Sequence, residues 1–170
     1  IIGLAALGTT SHFNVSTPFH LAMWSVMATA ISAVWAATFI LGASLWSAPR
    51  MSADLRLAVR WALGLGLAGM GIAFTMTPPQ AQQIPPETWA GIAGAHTVGA
   101  ADGGTGVPFF GWSTIAGDLR VSHFLGLHAL QILPALALIV SVVITSKYAR
   151  LAIITGLGMS YGLFIAFTYV

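Results

Sequence analysis

From Pro18 to Trp46 the chain carries no Asp, Glu, Lys or Arg, and the same holds from His123 to Thr145 and from Leu151 to Val170. A further apolar run, Leu55 to Thr77, holds charge only in its first turns, at Arg56 and Arg60. About 20 apolar residues in a helix cross the roughly 30 Å hydrocarbon core of a bilayer. In lipid only helices and closed barrels satisfy their own backbone N–H and C=O groups. The expected fold is therefore all-α: a polytopic transmembrane helical bundle. Its four spans are read at about 18–46, 55–77, 123–145 and 151–170, in a single transmembrane domain over residues 1–170 with a long non-cytoplasmic loop at 78–122. Composition agrees, since 57% of residues are hydrophobic and 6% charged, where a soluble domain carries about 25% charged residues.

Local signals mark the helix ends. Thr17 suits an N-cap and Pro18 the first turn of the first span. Ser52 or Asp54 caps the second, which Pro78 and Pro79 stop. Ser122 is read as the cap of the third. The first span is longer than a perpendicular crossing needs, so it should tilt or protrude. The chain opens on Ile1 in an apolar run without the n-region of a signal peptide. Ile1 to Leu7 are expected to be the tail of an earlier helix in a longer or processed protein.

The bases are segregated. Arg50, Arg56 and Arg60 lie around one short connection and Lys147 and Arg150 around the other, whereas the loop 78–122 holds Glu87, Asp102, Asp118 and only Arg120. Short loops rich in Lys and Arg stay in the cytoplasm. The loop 78–122 is then expected on the periplasmic or exterior side of a bacterial inner membrane. The net charge of +2 comes from six bases against four acids, and no nucleic-acid face follows from it. The chain has no cysteine, which excludes disulfides, iron–sulfur clusters and thiolate metal sites.

Small residues recur at helix-contact spacing: Ser25, Thr29, Ala33 and Ala37 on the first span, Gly64, Gly66, Gly69 and Gly71 on the second, Gly158 and Gly162 on the fourth. In lipid such faces let helix backbones approach closely. They predict contacts within the bundle and room for other transmembrane subunits.

On this topology all five histidines lie toward the non-cytoplasmic side. His123 and His128 are five positions apart, so their directions differ by about 140° with a rise of about 7.5 Å. One metal cannot easily take both, and a shared site would join different helices, for instance His20 with His128. Two facing histidines can hold a haem b; one can ligate the magnesium of a chlorophyll-type pigment or join a copper or zinc site. His20, His123 and His128 are therefore the cofactor-binding candidates. His12, His20, His96 and Met23 are the metal candidates, with Met27 and Met76 in the same half suiting copper(I). The plainer reading of each is a hydrogen-bonded interface residue.

The loop is rich in Gly, Pro and aromatic residues and poor in charge, which predicts an ordered cover over the bundle rather than a disordered linker. Glu87 to Ala101 could form a short interfacial helix, and the Asp102–Pro108 run is turn chemistry. Its GGTG lacks the strand, helix and Lys of a phosphate loop. Asp118 and Arg120 are expected to pin the loop over the third helix, with Asp118, Asp102, or a lipid or cofactor carboxylate as partner of Arg120. Pro134 should kink the third helix, and Gln131 beside it could hydrogen-bond to another helix.

The segments Gly111–Thr114, Gly117–Arg120 and His123–Gln131, in the pattern GWSTxxGDLRxxHFxGLHALQ, resemble a stretch of uncharacterised multi-pass membrane proteins of bacteria. The resemblance closely covers about a quarter of the chain, residues 94–131, and the flanking spans loosely. It implies a polytopic membrane fold and no function. Three functional readings follow from the residues: an accessory or structural subunit of a larger membrane complex of respiratory or photosynthetic type; a haem- or metal-binding membrane redox protein; and a small-molecule transporter or membrane enzyme. No catalytic set is read.

Overall fold

A computed structural model describes residues 2–10, 12–47, 50–80, 83–85, 87 and 89–169. The described elements are α1 (Ile2–Ala6), α2 (Pro18–Leu45), α3 (Ala53–Thr75), β1 (Thr97–Val98), β2 (Gly117–Asp118), α4 (Leu119–Val143) and α5 (Lys147–Phe167). The helices α2 to α5 are each long and apolar enough to cross a membrane. The chain is a multi-pass helical membrane protein. Ile1 and Val170, at the ends of two expected helices, and Thr88, inside the expected interfacial helix, lie outside the described residues.

Helix starts follow capping chemistry. The Thr17 hydroxyl accepts the His20 N–H at 3.2 Å, with Pro18 in the first turn of α2. Ser52 accepts the Leu55 N–H at 3.4 Å. The other two starts lie one turn earlier than the apolar runs suggested. Asp118, not Ser122, caps α4, its Oδ1 accepting the Arg120 N–H at 3.0 Å. Ser122 is buried inside the helix, its hydroxyl 3.4 Å from the Thr168 carbonyl. Ser146 caps α5 by accepting the Ala149 N–H at 3.4 Å. In both cases a polar cap extends a helix beyond its lipid-soluble part.

α3 lies at the centre of the bundle, with α4 along it, α5 against both and α2 packed on α3. The tightest approach is backbone to backbone. A Cβ added to Gly69 would stand 2.5 Å from the Gly126 Cα, and one added to Gly126 would meet the Gly69 Cα. Farther along, Ala62, Ala129 and Leu133 pack with Trp61 and Tyr161, and Ala58, Ala137 and Ile154 form a second layer. Two donors reach across helices: the Tyr161 hydroxyl donates to the Leu125 carbonyl at 2.8 Å and the Trp35 indole to the Leu67 carbonyl at 3.1 Å, whereas the Trp24 indole N–H of α2 is buried without a hydrogen-bond partner among the described residues. α2 differs from the rest, since Gly42 is its one buried residue among those described. Its Ser25, Thr29, Ala33 and Ala37 are all exposed.

The two short connections meet at one end of the bundle. There Arg150 Nε lies 3.3 Å from Asp54 Oδ2, and Arg60 donates to the Trp46 carbonyl at 2.7 and 3.0 Å with its guanidinium 4.9 Å from the centre of the Trp46 ring. The long loop covers the opposite end, called the loop end below. The described residues of Glu87 to Ala101 do not form the expected helix. Gly91, Gly94 and Gly99 have φ of 72°, 107° and 86°, which no right-handed helix accommodates. The segment is extended instead, and β1 pairs antiparallel with β2. The N-terminal segment lies alongside, with the Ala93 N–H donating to Phe13 O and the Val15 N–H to Gly91 O, both at 2.8 Å. Phe13 plugs this end, buried with Met76 and Leu119.

The Gly69–Gly126 contact carries a prediction. Gly126→Ala should destabilise the bundle by about 1–3 kcal/mol through overpacking, whereas Gly64→Ala, where an added Cβ meets nothing within 4 Å, should not. Reversible unfolding by SDS in mixed micelles measures both, and equal effects would contradict the close approach.

Candidate functional site

The polar side chains of the loop end are organised around two carboxylates. Asp118 follows β2 directly and opens α4, and its side chain is 2% exposed. Its Oδ1 accepts from Arg120 Nε at 2.9 Å and its Oδ2 from Arg120 Nη2 at 2.6 Å, a two-pronged fork. Oδ2 also accepts the Ser113 N–H at 2.7 Å, and Arg120 Nη2 donates to the Gly111 carbonyl at 2.6 Å. Acid and base together fasten the hairpin 105–114 to the first turn of α4. Burial alone would raise the Asp118 carboxyl, but the Arg120 fork and the N–H groups of Ser113 and Arg120 outweigh it and hold it below the ordinary 3.8. A lowered folded value contributes stability above the unfolded value, and that stability is lost only as pH falls through the folded one. The clamp is therefore intact at neutral and mildly acidic pH.

Asp102 is the second centre. It accepts the N–H of His96 at 3.0 and 3.1 Å, the N–H of Thr97 at 2.8 Å and the His96 ring Nδ1 at 2.9 Å. Desolvation pushes its carboxyl up, but these N–H donors win and hold it below 3.8. Burial lowers the His96 imidazole from 6.5, against the opposing pull of Asp102, so it is neutral at pH 7. Beside an ionised carboxylate, a neutral ring keeps its proton on Nδ1 and presents a lone pair at Nε2. The His12 ring is 6.3 Å from that of His96 in an edge-on arrangement, and Phe13 lies 4.9 Å from His96. Burial lowers His12 as well. Of the metal candidates, His12 and His96 come together.

The other histidines are held one by one. His20 Nδ1 is 2.9 Å from the Thr17 hydroxyl. His123 Nδ1 is 2.7 Å from the Gly69 carbonyl, across the α3–α4 seam. His128 Nδ1 is 2.8 Å from the Phe124 carbonyl of its own helix. A carbonyl only accepts, so Nδ1 is the donor on both His123 and His128. This leaves Nε2 as the other ring nitrogen of each, the position that carries the lone pair in the Nδ1–H tautomer seen in ligating histidines. No hydrogen bond or ring contact joins His20 to His128 among the described residues. Met23 and Met27 lie half-buried on α2, while Met76 is used in the packing around Phe13. Among the described residues no three His, Asp or Glu side chains gather as a metal site. Gln131, with its amide nitrogen turned to the carbonyls, donates to Leu127 O at 3.1 Å and His128 O at 3.2 Å. It serves its own helix rather than a neighbour. α4 runs as one helix through Pro134.

A row of rings descends from the hairpin onto α4. Phe110 stacks on Trp112 at 4.5 Å, Trp112 meets Phe124 at 5.6 Å, and Phe124 meets His128 at 4.0 Å between ring centres. Two organisers of this end escaped the sequence reading. Asp102 stood there as a turn residue and a candidate partner of Arg120, although an Asp before two glycines, six positions after a His, is a signal for side-chain capture of backbone N–H groups. Gln83 brackets Gly94, donating to its carbonyl at 3.0 Å and accepting its N–H at 3.1 Å, and no sequence spacing announces it.

These features define a helical multi-pass membrane protein with four of its five imidazoles and its buried carboxylate clamp toward one end. No family model, curated protein or solved structure matches the chain.

Asp118→Ala should release the hairpin. It strands the Ser113 N–H and the Arg120 guanidinium, at a cost of about 1–3 kcal/mol for buried polar groups left unpaired. Hydrogen–deuterium exchange should quicken at Ser113 and at Val107, whose N–H closes the hairpin onto Trp112 O, while α3 and α4 stay protected. Unchanged exchange at Ser113 would contradict the clamp.

Proposed function

We propose that this protein is an accessory or structural subunit of a larger membrane assembly of respiratory or photosynthetic type. In this reading it sits in a bacterial inner membrane with its loop end toward the periplasm or exterior. The observation that carries it is α2. A helix of 28 residues with one buried residue adds little to the packing of its own bundle. Its exposed face at Ser25, Thr29, Ala33 and Ala37 is small enough for another helix backbone to approach. The hydroxyls of Ser25 and Thr29 donate to Leu21 O and Ser25 O, both at 2.8 Å, so the face is smooth and carries no stray donor. The segregation of the bases supports the orientation.

Ala33→Leu with Ala37→Leu tests the reading. In protein extracted from native membranes with mild detergent, the particle mass should fall to that of the free chain, while unfolding of the purified chain stays within about 0.5 kcal/mol. A chain that runs alone before substitution would overturn the proposal.

A second reading is favoured by one geometric fact. His123 and His128 both commit Nδ1 to a carbonyl, which leaves Nε2 for a ligand. Single-histidine ligation of haem b, of a chlorophyll-type pigment or of copper suits such a ring. His128→Leu should abolish a Soret or pigment band in the purified protein. Protein with no such band, and with no copper or zinc by elemental analysis, would end this reading.

A further inference from the structure

We propose that the hairpin 105–114 is a membrane anchor: its tip, Val107 to Phe110, inserts into the leaflet at the loop end, with the Phe109 ring among the lipids. The hairpin is well formed at its base, with the Val107 N–H donating to Trp112 O and the Gly111 N–H to Val107 O at 2.8 Å, and the Thr114 N–H to Thr105 O at 3.0 Å. Its tip is unlike a water-facing turn. Phe109 has φ of 68° and a ring that is fully exposed, at 105%. A bulky residue in the left-handed region is strained, and this one gains no protein contact in return. Phe110 is 56% exposed beside it. No charged residue occurs between Thr105 and Ala116. Water rewards neither the strain nor the exposed rings, whereas the headgroup–acyl boundary takes aromatic side chains readily.

The tip is also at the right depth. α4 has 25 residues, a length of about 37 Å against roughly 30 Å of hydrocarbon, so its end turns stand at headgroup level. Phe124 lies only about 7.5 Å below the first residue of α4. Trp112 touches Phe124 and Phe110 stacks on Trp112, which holds the hairpin beside the first turns of α4 rather than above them. Phe124 is 40% exposed and Leu138, on the same flank, 54%. The ring row therefore continues the lipid-facing surface of a spanning helix, which is why lipid, and not a protein partner, is the proposed occupant. Arg120, gripping Gly111 at the hairpin base, stands where phosphates lie.

The chain has no cysteine, so single nitroxide labels can be placed at will. Labels at Phe109→Cys and, with the Phe109 ring retained, at Val107→Cys would be read in phosphatidylcholine vesicles. Leu138→Cys serves as the lipid reference and Glu87→Cys as the aqueous one. Both tip labels should relax several-fold more with oxygen than with a water-soluble nickel chelate, as at Leu138 and opposite to Glu87. Dominance of the nickel chelate would place the tip in water, and shielding from both would place it under protein. Either result overturns the anchor.

Discussion

The rest of this structure depends on the place where Gly69 and Gly126 let α3 and α4 touch backbone to backbone. A bilayer offers helices little hydrophobic reason to associate, so contact must come from close packing and from polar groups satisfied between helices. Both occur here together. With no side chain on Gly69, its carbonyl is open to the neighbouring helix, and His123, one turn before Gly126, donates to it at 2.7 Å. The same seam is lined by Gly66, against which Leu130 fits. α5 then closes on the pair through Gly158, where an added Cβ would meet the Trp61 ring at 2.5 Å.

From that seam the loop end is built with very little regular structure. A loop on a membrane protein still has to pair its buried N–H and C=O groups. β1 and β2 supply only two residue pairs. Side chains supply much of the rest: Asp118 takes the N–H of Ser113, Asp102 those of His96 and Thr97, and Gln83 both backbone groups of Gly94. The two carboxylates act differently. Asp118 is neutralised by a guanidinium fork and locks the loop to a helix. Asp102 orients an imidazole and leaves its far nitrogen outward. One is a fastening, the other a way of presenting a lone pair.

How much of this could be read beforehand varied with the physical signal. The four spans were legible because the cost of burying charge in lipid forbids Asp, Glu, Lys and Arg in their central turns. The Ser52 cap was legible for the same local reason that Asp118 was misjudged. Ser122 sits at the edge of the uninterrupted apolar run, but the true cap lies one turn earlier, beyond Arg120, which hydropathy places outside the helix. The helix expected over Glu87 to Ala101 failed at Gly91, Gly94 and Gly99, which all take positive φ; at two of them a side chain would also clash, with Ser16 at Gly91 and with the Met76 carbonyl at Gly94. That most of the histidines lie toward the end away from the short connections was legible from the order of the spans, but their partners were not. That His123 crosses to α3, that His128 turns back on Phe124 and that His12 meets His96 are matters of rotation and approach, which spacing along one helix does not contain.

Charged side chains in the middle of a span are costly in lipid. Here Asp54, Arg56, Arg60, Lys147 and Arg150 stand in the end turns at one face and Arg120 at the other, with no Asp, Glu, Lys or Arg in the central turns of any span. At mid-depth Gln131 is folded onto its own helix, and the inter-helix donors Trp35 and Tyr161 are consumed by single carbonyls. His128 stands one turn before Gln131, its Nδ1 held by the Phe124 carbonyl. At the loop end the His96 ring, an aromatic row and a pinned hairpin share one margin of the bundle. A subunit that docks by α2 and keeps that margin in fixed register with a neighbour would need such an interior, rigid and free of mobile charge.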